Sequence, residues 1–255
     1  EIKKIIIENS TDLKFINSLK HKYQNLECFL SGKNLGMGAG NNLGINKSNT
    51  RYVMILNPDT ILMPNTLNKI FEVSKNLDFA ILSPLNNNEK YPNYKKIIKT
   101  YNESGLVEVD QIDGYSMILD KNQFKEGFFD EKIFMYLEND DLCLRAKKNG
   151  KRIYIYKKSL ISHLGAKTVD MKYLNEIEFS RNWHWNWSKF YFKKKHFGLV
   201  SALFFCLPSI IKSSIKCFFY FLTINKFKSK IYSLRISGLI NSLINKKSWY
   251  RPRFD

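Results

Sequence analysis

Four short apolar runs punctuate the first 82 residues, and the segments between them carry helical spacing. Ile5-Ile6-Ile7 is continuous and β-branched, which suits a short buried strand. It ends at Asn9-Ser10-Thr11-Asp12, a set of good helix N-cap residues, after which Leu13, Ile16, Leu19 and Tyr23 recur at helical spacing. Residues 26–30 and 52–56 read as the second and third strands, the latter stopped by Asn57-Pro58-Asp59. A helix entered through Pro64 follows, marked by Leu67, Ile70, Phe71 and Ser74, then a fourth strand at residues 79–82. Strands alternating with helices predict an α/β domain with a mainly parallel sheet flanked by helices. Ligands of such sheets bind beyond the carboxyl ends of strands, where both polar clusters fall. Turns need the same residue types, so neither cluster decides the matter alone.

Beyond residue 82 the pattern weakens. Residues 86–108 are polar and poorly periodic and read as a loop region, and residues 112–119 are mixed, with Gly114 among them. Residues 140–148 predict a short helix closed by Gly150. Residues 152–156 alternate as a strand does, and His163 follows shortly after.

The charge is unevenly placed. Net charge is +18, yet residues 181–255 hold 15 of the 41 Lys and Arg against one acid, Asp255. The first 180 residues are close to balanced. This asymmetry predicts two regions, 1–180 and a basic, aromatic helical appendage over 181–255 that meets an anionic surface. Residues 197–211 are almost wholly apolar, and Lys212 and Lys216 interrupt the run before residues 217–224. Fifteen apolar residues fall short of a bilayer span of about 20, and lysines near its middle are costly. Helices in the membrane interface, with lysines towards headgroups and Trp and Phe towards lipid, fit better than spanning or core helices. No nucleic-acid recognition motif accompanies the basic and aromatic residues. Cys28, Cys143, Cys206 and Cys217 have neither metal-ligand spacing nor a disulfide pattern, and suit reduced thiols in a cytoplasmic protein.

Four features carry chemistry. Asp59 ends a strand beside a proline that stiffens the turn. Glu138, Asp140 and Asp141 place three carboxylates within four residues. His163 follows a strand. Residues 33–42 form a glycine-rich loop with asparagine donors. Asp59 and His163 suit a divalent cation, Mn²⁺ better than Mg²⁺ on ligand softness. The acidic cluster offers a general base, and glycines with asparagines offer a polar, closely approachable surface. Each has a plainer use: dipole complementation for the acids, structural packing for the histidine. The loop lacks the Gly-Lys-Ser/Thr ending of a P-loop and the strand-to-helix context of a dinucleotide fingerprint. Spacing alone points to a nucleotide-binding α/β enzyme.

The ordered series goes further. Lys33-Asn34-Leu35-Gly36 through Asn41-Asn42-Leu43-Gly44, then Leu56-Asn57-Pro58-Asp59, resembles glycosyltransferase family 2, in particular its rhamnosyltransferase-like branch. Asp113-Gly114, Gly127-Phe128-Phe129-Asp130-Glu131, Phe134-Met135-Tyr136-Leu137-Glu138, Asp141-Leu142-Cys143-Leu144-Arg145, Gly150 and His163 continue it in order, over roughly residues 1–170. The resemblance implies a GT-A type fold with a Rossmann-like sheet. It also implies an inverting hexosyltransferase using a nucleotide-diphospho-sugar and a divalent metal, Mn²⁺ or Mg²⁺. It maps Asp59 onto the metal- and donor-binding aspartate and His163 onto a metal-binding histidine. Glu8, Asn9, Asn34, Gly36, Asn41, Asn42 and Gly114 become donor-site candidates, and Glu138 and Asp140 the catalytic ones. The acceptor would be a hydroxyl of a cell-surface polysaccharide or lipid-linked glycan precursor. The basic tail then suggests a cytoplasmic enzyme, peripheral on the inner face of the membrane.

Two departures stand out. Glu138-Asn139-Asp140-Asp141 puts an amide where the family pattern commonly has the base, unless Asn139 is simply the helix N-cap. The family also usually has a strand and helix before the segment matching Glu1 to Asp12. Their absence suggests a first strand lost, on the order of 30 residues, with unpaired edges inside the sheet. The alternative expectation is a degenerate relative, not catalytic, that binds a glycan or protein partner at the membrane.

Overall fold

Buried β-branched and aliphatic runs do become strands, and their alternation decides which helices cover which face. The computed structural model describes residues 2–165 and 171–252, so Glu1 and the tail's Asp255 lie outside the described residues. The chain divides into two compact units, Glu1–Asp130 with Glu138–Thr168, and Glu131–Leu137 with Val169–Asp255.

The first unit contains β1 (Lys4–Glu8), α1 (Leu13–Lys22), β2 (Leu26–Leu30), α2 (Met37–Lys47), β3 (Tyr52–Leu56), β4 (Thr60–Leu62) and α3 (Thr66–Ser74). It continues through β5 (Ile81–Asn86), β6 (Tyr94–Tyr101), β7 (Leu106–Ile112), β8 (Ser116–Asp120), α4 (Glu138–Lys148) and β9 (Ile153–His163). β3, β8, β5, β9, β7 and β6 lie in that order in one sheet, and β4 adds to the end of β9. Successive residues on a strand face opposite ways. Ile81, Met117, Leu119, Ile153 and Ile155 therefore pack with Ile45 of α2 and Leu142 of α4. Their neighbours Leu82, Ile118 and Tyr154 pack with Ile70 of α3. The result is a helix–sheet–helix sandwich with an α/β core.

Three sequence expectations need correction. The sheet is mixed rather than mainly parallel, since β1–β2 and β5–β9 are parallel but the other five pairings are antiparallel. Residues 86–108 are not a loop region. They form most of the β6–β7 hairpin, whose outer strand is so exposed that lysines replace the usual alternation. His163 does not follow its strand but ends β9, which runs seven residues further than its alternating part suggested. β1 and β2 form a separate two-stranded sheet, so β1 and β3 each carry ladder bonds on one side only among the described residues.

The second unit is built on α5 (Leu174–Leu222) and α6 (Lys226–Leu243). Gly198 breaks α5 with φ 86° and ψ 167°, a conformation open to glycine. Residues 174–197 and 199–222 then fold against each other, bringing Phe190 to Ala202 and Cys206. Trp183 and Trp187 do not face lipid as expected. Both are buried, and their indole N–H groups donate to Ser237 Oγ (3.1 Å) and the Lys246 carbonyl (3.0 Å). His184 is buried between Ser248 Oγ (2.9 Å) and the Tyr250 carbonyl (2.8 Å), and burial lowers its pKa to about 4. The neutral ring fixes the C-terminal segment to α5. Gly238 has no room for a side chain, because a Cβ there would lie 2.3 Å from the Trp183 carbonyl oxygen.

Residues 199–222 invert the usual pattern. Ala202, Cys206 and Ser213 are buried, while Leu199, Leu207, Ile211, Ile215 and Phe218 are exposed, and Val200 and Phe204 reach 80% and 84%. Helix 171–222 is long and apolar enough to cross a membrane by length and composition. Only 17% of its most apolar window is buried, unlike the core helix of a water-soluble bundle.

Candidate active site

The turn Asn57-Pro58-Asp59 is pinned on both sides. Asn57 N–H donates to the Tyr115 carbonyl (2.9 Å), and Thr60 N–H to the Asn57 carbonyl (3.0 Å). The chain then enters β4, where Thr60 pairs with His163 and Leu164 N–H donates to the Asp59 carbonyl (2.9 Å). Backbone pairing thus brings two residues 104 positions apart together, with His163 Nε2 3.2 Å from Asp59 Oδ2. Both side chains remain partly exposed. The Tyr115 ring lies flat on the imidazole, with centroids 4.0 Å apart and planes within 4°.

A carboxylate and an imidazole at this separation suit one divalent cation of the Mn²⁺ type. Among the described residues no group of three or more His, Cys, Asp or Glu gathers. The protein would therefore contribute two ligands, Asp59 and His163, and a bound diphosphate would complete the set. When bound, such an ion neutralises the charge that builds on a departing diphosphate.

The acidic cluster lies at the start of α4. Tyr136 and Leu137 precede it with φ of 69° and 68°, costly values for side chains of that size. The helix begins at Glu138, so Asn139 lies inside its first turn and is not the N-cap. Asn139 Nδ2 donates to the Ile112 carbonyl (2.9 Å) and reaches Asp140 Oδ1 (3.4 Å). Asp141 is wholly buried and takes a hydrogen bond from Arg145 Nε (2.9 Å), while the same guanidinium binds the Gly127 and Phe128 carbonyls. Asp141 thus anchors a loop, which leaves Glu138 and Asp140 for chemistry.

Those two differ. Glu138 is 4% exposed, its Oε2 has no hydrogen-bond partner, and burial followed by the Asp140 charge raises its pKa to about 7. Asp140 is raised by burial too, but Lys95 Nζ at 3.6 Å opposes the shift. Asp113 is raised first by burial and feels Lys95, Asp140 and His163. It therefore links the acidic cluster electrostatically to the Asp59–His163 pair. Sequence reading did not single out Lys95, Asp113 as a charge, Tyr115 or Asn86. Asp113 was visible only as part of a motif, and Lys95 lay in the stretch misread as loop.

The glycines of the glycine-rich segment make close packing contacts. Gly38 faces Phe129, with Cβ room of 3.0 Å, Gly40 faces the Asn9 amide, and Gly44 faces Ile7. These close approaches let α2 lie against β1. Asn9 clips the preceding loop, accepting from Leu35 N–H (2.9 Å) and donating to the Gly36 carbonyl (3.1 Å). Asn34 accepts from Gly36 N–H (3.0 Å), and Gly36 takes φ 86° just before α2. Asn42 is a staple: its carboxamide bonds Phe129 N–H and C=O, each at 2.9 Å. Asn41 differs, since its Nδ2 is buried without a partner. Glu8 ends β1, where its carbonyl accepts from Ser31. Gly114 leaves space for Met37 and Asn139, whose atoms lie 2.7 and 3.4 Å from any Cβ there.

The fold is an α/β arrangement of the GT-A glycosyltransferase type. Residues 5–144 match the model of "Glycosyl transferase family 2", and the chain belongs to that family. It is 25% identical over 169 residues to the low-salt glycan biosynthesis hexosyltransferase Agl10 of Haloferax volcanii, covering 58% of this chain and 54% of that protein. The chain thus spans about half the length of the curated relative it matches. Among solved structures, its fold is similar to a mannosyltransferase, PcManGT, from Pyrobaculum calidifontis in complex with GDP-Man and Mn²⁺. The TM-score is 0.52 with 10% identity, covering 95% of this chain and 78% of that one. It is also similar to GalNAc-T7 with UDP, GalNAc and Mn²⁺, at TM-score 0.51 and 11% identity, covering 71% of this chain and 45% of that one.

Proposed function

We propose that the chain transfers a hexose, with inversion, from a nucleotide-diphospho-sugar to a hydroxyl of a polysaccharide or lipid-linked glycan precursor. The single observation that carries this is the Asp59–His163 pair, coupled through Asp113 to Asp140 of the acidic cluster, where Glu138 keeps a buried Oε2 without a hydrogen-bond partner. Asp59 and His163 would hold Mn²⁺ or Mg²⁺, which would supply neutralising charge for the donor's diphosphate. The Asn41 amide, lacking a protein partner, is available to a ligand. Glu8, Asn9, Asn34, Gly36 and Gly114 shape the donor site, the middle three through the clipped loop. Rhamnose as the donor sugar rests on the motif series alone.

Glu138 acts as the general base. Its carboxylate takes the proton of the acceptor hydroxyl, and the acceptor oxygen forms a bond to the anomeric carbon. The bond from that carbon to the diphosphate breaks on the opposite face, and the electron pair leaves with the phosphate. A pKa near 7 suits a base working near neutrality, whereas the upward shift that burial gives Asp140 is opposed by Lys95. Asp140 then keeps Glu138 raised and orients the acceptor.

The test is turnover of Glu138→Gln and Asp140→Asn. Loss of a base predicts a fall of about 10²–10⁴ in kcat for Glu138→Gln, with activity in the parent rising through pH 7. A smaller loss is expected for Asp140→Asn, with the pH profile displaced downward. Full activity in Glu138→Gln alongside loss in Asp140→Asn would move the base to Asp140.

The second unit supports residence at a membrane. Its outward apolar side chains and inward small residues suit helices surrounded by lipid. Lys212 on the exposed side argues for helices lying in the interface rather than crossing it. This favours a cytoplasmic enzyme on the inner face of the cell membrane, bound to its anionic surface.

A further inference from the structure

We infer that Tyr115 is the positioning residue for His163, fixing the imidazole so that Nε2 is presented toward Asp59. The inference rests on the reading of Asp59 and His163 as the cation ligands. An imidazole ending a strand is free to turn about two side-chain torsions, and the backbone pairing of β4 with β9 fixes only its Cα. Tyr115 supplies the missing restraint. Its ring covers one face of the imidazole at 4.0 Å and within 4° of parallel.

Tyr115 is itself locked. It is 9% exposed, its carbonyl holds Asn57 N–H (2.9 Å), and its hydroxyl interacts with the Asn86 side chain. Asn86 is fixed in turn. Its side chain donates to the Tyr91 carbonyl (2.9 Å), and its N–H donates to Asn93 Oδ1 (2.9 Å). Asn93 is fully buried and also bonds Ser83 Oγ (3.0 Å) and the Pro84 carbonyl (2.8 Å). A connected set of side chains therefore runs from the end of β5 through Tyr115 to the imidazole. Because Asn57 N–H donates to the Tyr115 carbonyl, the same residue touches the imidazole and the turn that carries Asp59. Second ligand shells of this kind commonly tune metal affinity 10–100-fold.

The experiment measures Mn²⁺ binding to the full chain by loss of the free-ion EPR signal, with UDP and with GDP. Four forms are compared: parent, Tyr115→Phe, Tyr115→Leu and Asp59→Asn. The expected result is binding within about threefold of the parent for Tyr115→Phe, which keeps the stacked ring, and about tenfold or more weaker for Tyr115→Leu. Proton NMR of the metal-free chain gives an independent readout. The stacked ring should shift the His163 imidazole protons upfield in the parent and in Tyr115→Phe. Parent-like Mn²⁺ affinity in Tyr115→Leu, while Asp59→Asn loses it, overturns the inference and leaves the cation site standing. Unchanged affinity in Asp59→Asn overturns both. Should Tyr115→Leu not fold, His163 resonances without a ring-current shift in the parent and Tyr115→Phe overturn it as well.

Discussion

Asn139 stands where the family pattern places an acid, and its contacts explain how the site accommodates an amide. Its Nδ2 ties the first turn of α4 to the Ile112 carbonyl, and its Cβ fills space that Gly114 leaves open. An amide holds this junction without adding a fourth negative charge beside Glu138, Asp140 and Asp113. Glu138 carries a measurable consequence. Its folded pKa near 7 lies above the ordinary value of 4.5, so between these pH values the folded chain holds a proton that the unfolded chain has released. Its contribution to stability is therefore fully present below about pH 4.5 and is lost as pH rises through 7. Glu138→Gln should remove that slope, melting close to the parent at pH 5 and higher at pH 8, by roughly 1–3 kcal/mol. Melting curves that change in parallel with pH in both proteins would show that Glu138 is not raised. Residue identity alone located this carboxyl but not its state, because burial and an absent hydrogen-bond partner arise only from packing.

At the scale of elements, legibility followed apolar runs bounded by turn residues rather than burial, since β8, buried throughout, read only as a mixed stretch. β1, β2 and β3 were readable because their apolar runs are flanked by turn residues, and α4 because Gly150 closes it at φ 69°. β6 was not, since an edge strand keeps its lysines in water and loses the period of two. Most of the glycine-rich stretch is α2, whose glycines admit β1 and Phe129. In the second unit the Trp-rich stretch seemed suited to lipid, but Trp183 and Trp187 are buried, while Trp185 and many apolar side chains of residues 199–222 are exposed. Phe204 and Phe218 lie on that surface, so Phe204→Asp with Phe218→Asp should leave the melting temperature nearly unchanged. Flotation with anionic vesicles should weaken by at least about tenfold. Undiminished flotation of the double variant would place the membrane contact elsewhere or nowhere.

Across the whole molecule, one compact unit carries the mixed sheet and the other the long helices, and the charge division read at residue 181 falls inside α5. Strand direction was not legible, because hydrophobic alternation fixes which face a residue takes and says nothing of its neighbour's polarity. Asp59 and His163 were read from the sequence as ligands of one cation, while the β4–β9 pairing that brings them together was not legible there. That meeting is also where the account is most exposed. Calorimetric titration of the full chain with UDP, GDP and dTDP, each with Mn²⁺ and again with EDTA, tests it directly. The account predicts that one of these binds in an Mn²⁺-dependent manner and that Asp59→Asn weakens it by about tenfold or more. Nucleotide binding that is equal with Mn²⁺ and EDTA, and unchanged in Asp59→Asn, would contradict it.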